Sequence, residues 1–432
     1  MARIPPRPAI AMCAGLLLTF IPSPAFAGSK KAEAQVRPPL RATLQPSFTI
    51  PAEPLGFSAP GAFYLGMRNS LVSLDFLDEN RLLFTFRVPG LLRRAEDRRE
   101  TDGEREIRAV VLRLPGGAVE SETVWTVHDR ARYLYMLDSG QFLLRDRNNL
   151  FLVDAALEPK PYLKFPGPVL WVEVDPSRQF LVTGSSEPST RKPAAGEVPA
   201  PATAAASVTT DDEDALEGNL VLRILRRSDG KVMLVSHIHG VVHVPINPEG
   251  YLESLRGSGK QWTLNFDHFS GGNTILGSVD SVCTPLLDFA SSNEVLATTC
   301  GSSGDPRLVA LSLSGKRLWE NSSVPQSIWP KLVFNANGLR LARETLLASH
   351  DVNAANPLDT DDIKGQDVQI IDAATGHVAL RAAASPVFDA GGNVAISPSG
   401  RRVAIIMNND IQVFDLPEPP QLADGVDVKA SR

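Results

Sequence analysis

Two kinds of residue in this 432-residue chain are suited to bind metal or move protons: seven histidines and three cysteines. His237 and His239 form an H-x-H pair, with His243 just beyond. On a strand, residues i and i+2 share a face, so the pair is placed to hold one metal ion. His128, His239 and His243 are the candidates for acid–base catalysis. No carboxylate at a telling spacing joins them, and the competing reading is loop histidines bonded to backbone or water. Cys283 and Cys300 are expected to form a disulfide: a hairpin that sets Phe289 opposite Glu294 also sets Cys283 opposite Cys300, within bridging reach. Two cysteines alone do not make a zinc site.

The remaining motifs are incomplete. Asp359–Gly365 reads DTDDIKG, but an EF-hand count puts Ile370 where the closing Glu belongs. Arg256–Lys260 reads RGSGK, with Ser254 in place of the upstream Gly of a phosphate loop. There is no G-x-S-x-G elbow. Arg93–Arg108 mixes both charge signs, as a solvated loop does. The sequence therefore assigns no cofactor and no metal.

The elements that would carry these side chains repeat. Val394–Met407, VAISPSGRRVAIIM, alternates, turns on Pro-Ser-Gly and alternates again. Six more hairpins of this form begin at Leu74, Leu134, Val172, Val244, Leu287 and Leu332, with Asn, Asp, Gly, Pro or Ser in nearly every turn. A second hairpin follows each; Val368–Leu380, VQIIDAATGHVAL, is the clearest. The seventh, Ile411–Asp415, has no partner after it, because Pro417, Pro419 and Pro420 forbid a further strand. Seven units of four strands, the last short by one, describe an all-β, seven-bladed β-propeller closed by an N-terminal strand. Phe63–Leu65 is the first choice for that strand and Ser47–Ile50 the second.

The stretches LGMRNSLVSLDFLDENRLLFTF and VQIIDAATGHVAL resemble the hairpins of WD-repeat and related bacterial propeller families over residues 57–416. Leu308–Trp319, LVALSLSGKRLW, resembles the tryptophan-docking motif of quinoprotein-type propellers, with Ser312 replacing Asp. The resemblance implies the fold and, for Trp319, a role in blade packing. It carries no activity.

Three inserts separate the second and third strands of their units: Leu91–Glu106, Ser185–Gly218 and Ala348–Gln366. Alternating strand direction sends all three to one face. The domains expected are a signal peptide (1–27), an N-terminal extension (28–56), the propeller (57–416) and a disordered tail (417–432). Arg3 and Arg7, the apolar run Ala9–Ile21 and the Ala25-Phe26-Ala27 site mark the signal peptide. Cleavage after Ala27 removes two cations and takes the net charge from −6 to −8. The function expected is that of a periplasmic or secreted, non-catalytic binder of a protein, peptide or glycan on the insert-bearing face. A propeller lyase or hydrolase is the second reading and a structural part of an envelope complex the third. A binder of this kind would tolerate alanine at all three candidate histidines. An acidic exported chain is a poor partner for nucleic acid, and the sequence suggests a monomer without a membrane anchor.

Overall fold

The computed structural model describes residues 42–59, 72–88, 105–128, 132–138, 140–187, 219–238, 243–301, 306–324, 326–335, 337–350, 352, 358–387 and 392–420. Every described residue falls within Pro39–Arg432. The expected signal peptide, Phe63–Leu65, His239, the insert interiors and the tail from 421 onward lie outside the described residues.

The described strands form seven four-stranded antiparallel sheets arranged as a propeller. After β1 (Phe48–Pro51), blade 1 is β2–β5 (Val72–Asp78, Arg81–Arg87, Arg105–Arg113, Ala118–Val127) and blade 2 is β6–β9 (Leu134–Met136, Phe142–Asp146, Asn149–Val153, Lys160–Lys164). Blade 3 is β10–β13 (Val169–Val174, Phe180–Glu187, Asn219–Arg226, Val232–Ile238) and blade 4 is β14–β17 (Ile246–Asn247, Gly250–Arg256, Gln261–His268, Asn273–Asp280). Blade 5 is β18–β21 (Leu286–Ser291, Glu294–Cys300, Pro306–Ser312, Arg317–Ser322) and blade 6 is β22–β25 (Ser327–Phe334, Arg340–Ala348, Ile363–Asp372, Val378–Ala384). Blade 7 is β26–β28 (Val394–Ile396, Arg402–Met407, Asp410–Asp415), and β1 supplies its fourth strand by pairing antiparallel with β28, Phe48 opposite Val413 and Ile50 opposite Ile411. The closing strand is thus the second of the two sequence candidates, and it lies within the stretch read as an N-terminal extension.

Period-two alternation builds the core. Successive side chains leave opposite faces of a strand, so each blade feeds two seams. Leu82, Phe84 and Phe86 enter the seam with blade 7, while Leu83, Ile107, Ala109 and Val111 enter the seam with blade 2. Ala404 and Ile406 face blade 1; Val403 and Ile405 face blade 6. One apolar cluster fills each of the seven seams. Each Leu or Phe buried this way contributes about 1.5–3 kcal/mol, and a lone sheet would leave both faces wet. Among the described residues the closing seam holds eighteen buried apolar residues, the seam between blades 3 and 4 only five.

Polar latches cross the seams. Trp125 Nε1 donates to Leu157 O at 3.0 Å, Trp319 Nε1 to Ala373 O at 2.6 Å, and the Tyr162 hydroxyl to Arg227 O. Each acceptor lies in the turn between the third and fourth strands of the next blade. Trp319 therefore packs blade 5 on blade 6, and the sequence motif catches only one of three such latches. Its indole fits because position 376 is glycine: φ is +70° there, and a Cβ would stand 2.6 Å from the ring.

Cys283 and Cys300 are disulfide-bonded, with Cα atoms 5.6 Å apart. The register that led to this pairing is off by one. A bulge at Ala290 sets Phe289 opposite Val295, not Glu294, and β18 starts only at Leu286. Cys283 reaches its partner from outside the ladder, where Val282 N donates to Cys300 O at 3.2 Å.

The inserts join β3 to β4, β11 to β12 and β23 to β24. They are shorter than the sequence suggests: β4 begins at Arg105, β11 runs to Glu187, and β24 begins at Ile363. Because neighbouring strands are antiparallel, these loops and the blade-to-blade links leave from the same end of the propeller.

Glu294 tests the packing. It is 6% exposed, and its Oε1 has no hydrogen-bond partner. Burial raises its pKa to about 7, partly opposed by the Trp319 indole N–H. A raised carboxyl stabilises fully below its unfolded pKa and loses that contribution as pH rises through the folded value. E294Q is expected to gain about 2–3 kcal/mol over wild type near neutral-to-alkaline pH and nothing in mild acid. Denaturant titrations at the two pH values measure the difference.

Candidate functional site at the axial mouth

The innermost strands β2, β6, β10, β14, β18, β22 and β26 surround the propeller axis. Three carry an acid at the same ladder position: Asp75 opposite Leu83, Glu173 opposite Val182 and Asp288 opposite Leu296. Most neighbouring positions on these three strands are apolar and face a seam. An acid here points to the axis.

Blade 4 is the thin sector of this wall. Its inner strand has two residues, and its seam with blade 3 is the sparsest. His243, just before that strand, fills the gap. Its Nδ1 is 2.7 Å from Glu173 Oε1 on blade 3, and its Nε2 lies 2.7 Å from Leu287 O and 3.2 Å from Asp288 Oδ1 on blade 5. Val244 N donates to Glu173 Oε2 at 3.2 Å. A backbone carbonyl only accepts, so Nε2 carries a proton. A carboxylate on Nδ1 calls for the second. Burial disfavours the cation, but the hydrogen bonds to Asp288 and Glu173 outweigh it and raise the pKa to about 11. His243 is a cationic clip spanning blades 3 to 5, with no ring nitrogen left to act as a base.

A second charged group lies toward blades 6, 1 and 2. Lys331 stands directly opposite Glu344 in the ladder. Glu344 is 2% exposed; its Oε2 accepts from Gln366 Nε2 at 2.8 Å, and Gln366 and Asn393 exchange amide hydrogen bonds into blade 7. Burial raises the Glu344 pKa against the charges of Lys331 and Arg132. Burial likewise raises that of Asp75, opposed by the 2.6 Å bond from Ser73 Oγ and by Arg132, Lys331 and Arg178. The axis is lined by acids and bases that balance one another.

Above Lys331, β22 bulges. Ile328 faces Leu346 and Lys331 faces Glu344, so Trp329 and Pro330 together face Thr345 alone. The bulge turns Trp329 outward: 56% of the residue is exposed, at φ +49°. A bulky side chain in the left-handed region is a conformational outlier, at a cost of about 1–3 kcal/mol that surrounding structure must hold. Trp329 sits near the start of its strand, at the insert-bearing end.

The structure does not assemble the other candidate histidines. His128 binds Asp146 on blade 2, through its backbone N–H at 2.8 Å and through Nδ1 at 3.2 Å to the same Oδ1. His237 is exposed on β13, the outer strand of blade 3, opposite Val221. Among the described residues no group of three or more His, Cys, Asp or Glu side chains could hold a metal ion. The acids Asp359–Asp362 are tied into their own loop: Asp359 N donates to Asp362 Oδ2, and Lys364 Nζ to Asp361 O. The sequence passes over Asp75, Glu173, Asp288 and Trp329. Their signal is an acid, or a Trp-Pro step, inside an otherwise apolar innermost strand.

The contacts of His243 set a stability cost on replacing it, separate from any effect on binding. H243Q is expected to lose about 2 kcal/mol near pH 6. The raised pKa makes that contribution complete below the unfolded value of 6.5 and lets it fade as pH climbs toward about 11. The stability gap between wild type and H243Q should therefore close on going to alkaline pH, and denaturant melts across that range measure it.

No family model and no curated protein matches the chain. Among solved structures, it is similar to acylaminoacyl peptidase from Pyrococcus horikoshii in an orthorhombic crystal form, with a TM-score of 0.46 at 10% identity over 78% of this chain and 49% of that one. The uncomplexed form of that peptidase gives 0.46 at 10% over 83% and 54%. The β-propeller domain of the Trilobed protease from Pyrococcus furiosus gives 0.44 at 9% over 84% and 99%. The chain spans about half the length of the peptidase structures it matches. The likeness is one of fold.

Proposed function

We propose that this protein is an exported, non-catalytic propeller that captures a protein or peptide at its insert-bearing end, around the mouth of the axis. The observation that carries the reading is the common placement of the three inserts: all connect second to third strands and so emerge together on a rigid ring, the arrangement by which scaffolds present recognition loops. The state of His243 supports it, since an acid–base enzyme at this mouth needs an imidazole nitrogen that is not already donating. Export rests on the signal-peptide pattern of residues 1–27, and the closure of the seven seams among the described residues supports a monomer.

Affinity capture from the exported fraction is the test. Deleting the inserts of blades 1 and 6 should abolish capture while the melting temperature stays within a few degrees of wild type, because the deletions remove none of the seam residues described above. Unchanged capture after both deletions would contradict the reading.

A further inference from the structure

We propose that Trp329 is the anchor of the binding surface and that it receives an arginine or lysine side chain from an extended, basic segment of a protein partner. The inference rests on the reading of the insert-bearing end as the binding face and names what binds there.

Three observations converge on blade 6. First, the indole is the most exposed aromatic side chain among the described residues, and a bulge ending in a proline holds it out. Pro330 lacks an N–H and cannot restore the ladder. Bulges that re-aim a side chain recur next to functional sites, and Trp is the residue most enriched among interface hot spots. Second, Leu286, which opens the inner strand of blade 5 at the same end, is 42% exposed, so the lip is apolar on two adjacent blades. Third, exposed carboxylates stand beside this lip, where the neighbouring cation, Lys364, is held on the Asp361 carbonyl. Ser327 faces Leu347, and Leu347 faces Gly365, so these three residues form one row across the sheet. At a strand spacing of about 4.8 Å the row is about 10 Å wide. Asp359 and Asp361, both exposed, stand just before β24 at its far end. A cation over the indole face is favoured by the ring quadrupole, and a second basic residue about three positions along an extended peptide would reach the two aspartates. Neutral sugar would leave those carboxylates unmatched, and acidic peptide would be repelled by them.

The probes are immobilised short peptides in which Arg or Lys alternates with Pro or Val, a matched set with Asp or Glu in the basic positions, and a panel of neutral oligosaccharides. Wild type should bind the basic set in preference to the other two. W329A should weaken that binding about tenfold or more, a loss of about 1.4 kcal/mol, at an unchanged melting temperature, because the indole lies mostly in solvent. W329F should fall between them, and the D359N/D361N pair should weaken binding and flatten its salt dependence. Caesium should quench wild-type tryptophan fluorescence more than iodide does, and W329F should remove most of that difference.

Equal binding of the acidic set or of the oligosaccharides, equal binding by W329A, or no binding of basic peptides by wild type would each overturn the proposal. In the capture experiment, retention by W329A with loss on insert deletion refutes the anchor and leaves the binding face standing. Loss in W329A with retention after insert deletions that spare Asp359–Asp362 does the reverse.

Discussion

The pairing of β1 with β28 is the contact on which the rest of the ring depends. Without it, blade 7 has three strands and β28 presents an open edge, a template for pairing with another chain. The same short segment also staples two blades. Ile50 packs into the closing seam; the chain then turns at Gly56, whose φ is +87°, and sets Phe57 edge-on against Phe84 and Phe86 of blade 1, with ring centroids 5.3 and 5.6 Å apart. Opening this junction would wet the largest apolar cluster among the described residues. On the opposite end, Arg402 Nη1 to Glu79 O at 2.8 Å and Ser399 N to Glu79 Oε1 at 2.6 Å fasten the same two blades.

The ring and the mouth are linked physically. Inner strands converge on the axis, where wedge-shaped sheets run out of apolar neighbours and side chains meet water. Acids placed there must be matched, and each has a partner: Ser73 for Asp75, Gln366 for Glu344, and His243 for Glu173 and Asp288. His243 does for the thinnest blade what apolar packing does elsewhere. This makes the axis a firm support, and the side chains free to meet another molecule are displaced to its rim, as the bulge at Trp329 shows.

Much of this was legible in the sequence, for a definite reason. Repeating hairpins with alternating apolar residues encode strands, turns and the two seams of each blade at once, and the prolines after Leu416 announce that blade 7 needs a strand from elsewhere. What could not be read depends on contacts distant in the chain. Nothing local separates Ser47–Ile50 from Phe63–Leu65 as the closing strand; the choice is made by Ile411, Val413 and the pocket of Phe84 and Phe86. The bulge at Ala290 shifts a register that simple hairpin counting takes as regular, yet leaves the cysteines close enough to bridge. His243 looks like a loop histidine until blades 3 and 5 bring Glu173 and Asp288 to its two nitrogens.

The most direct measurement of the closure is cysteine trapping across it. Thr49 and Gln412 face each other in the ladder, the first exposed and the second half-buried, so cysteines there disturb no core. T49C/Q412C should oxidise spontaneously and completely to a bridge spanning nearly the whole chain, and Y64C/Q412C should not. Bridging through position 64 with none through position 49 would contradict a ring shut by Phe48–Pro51.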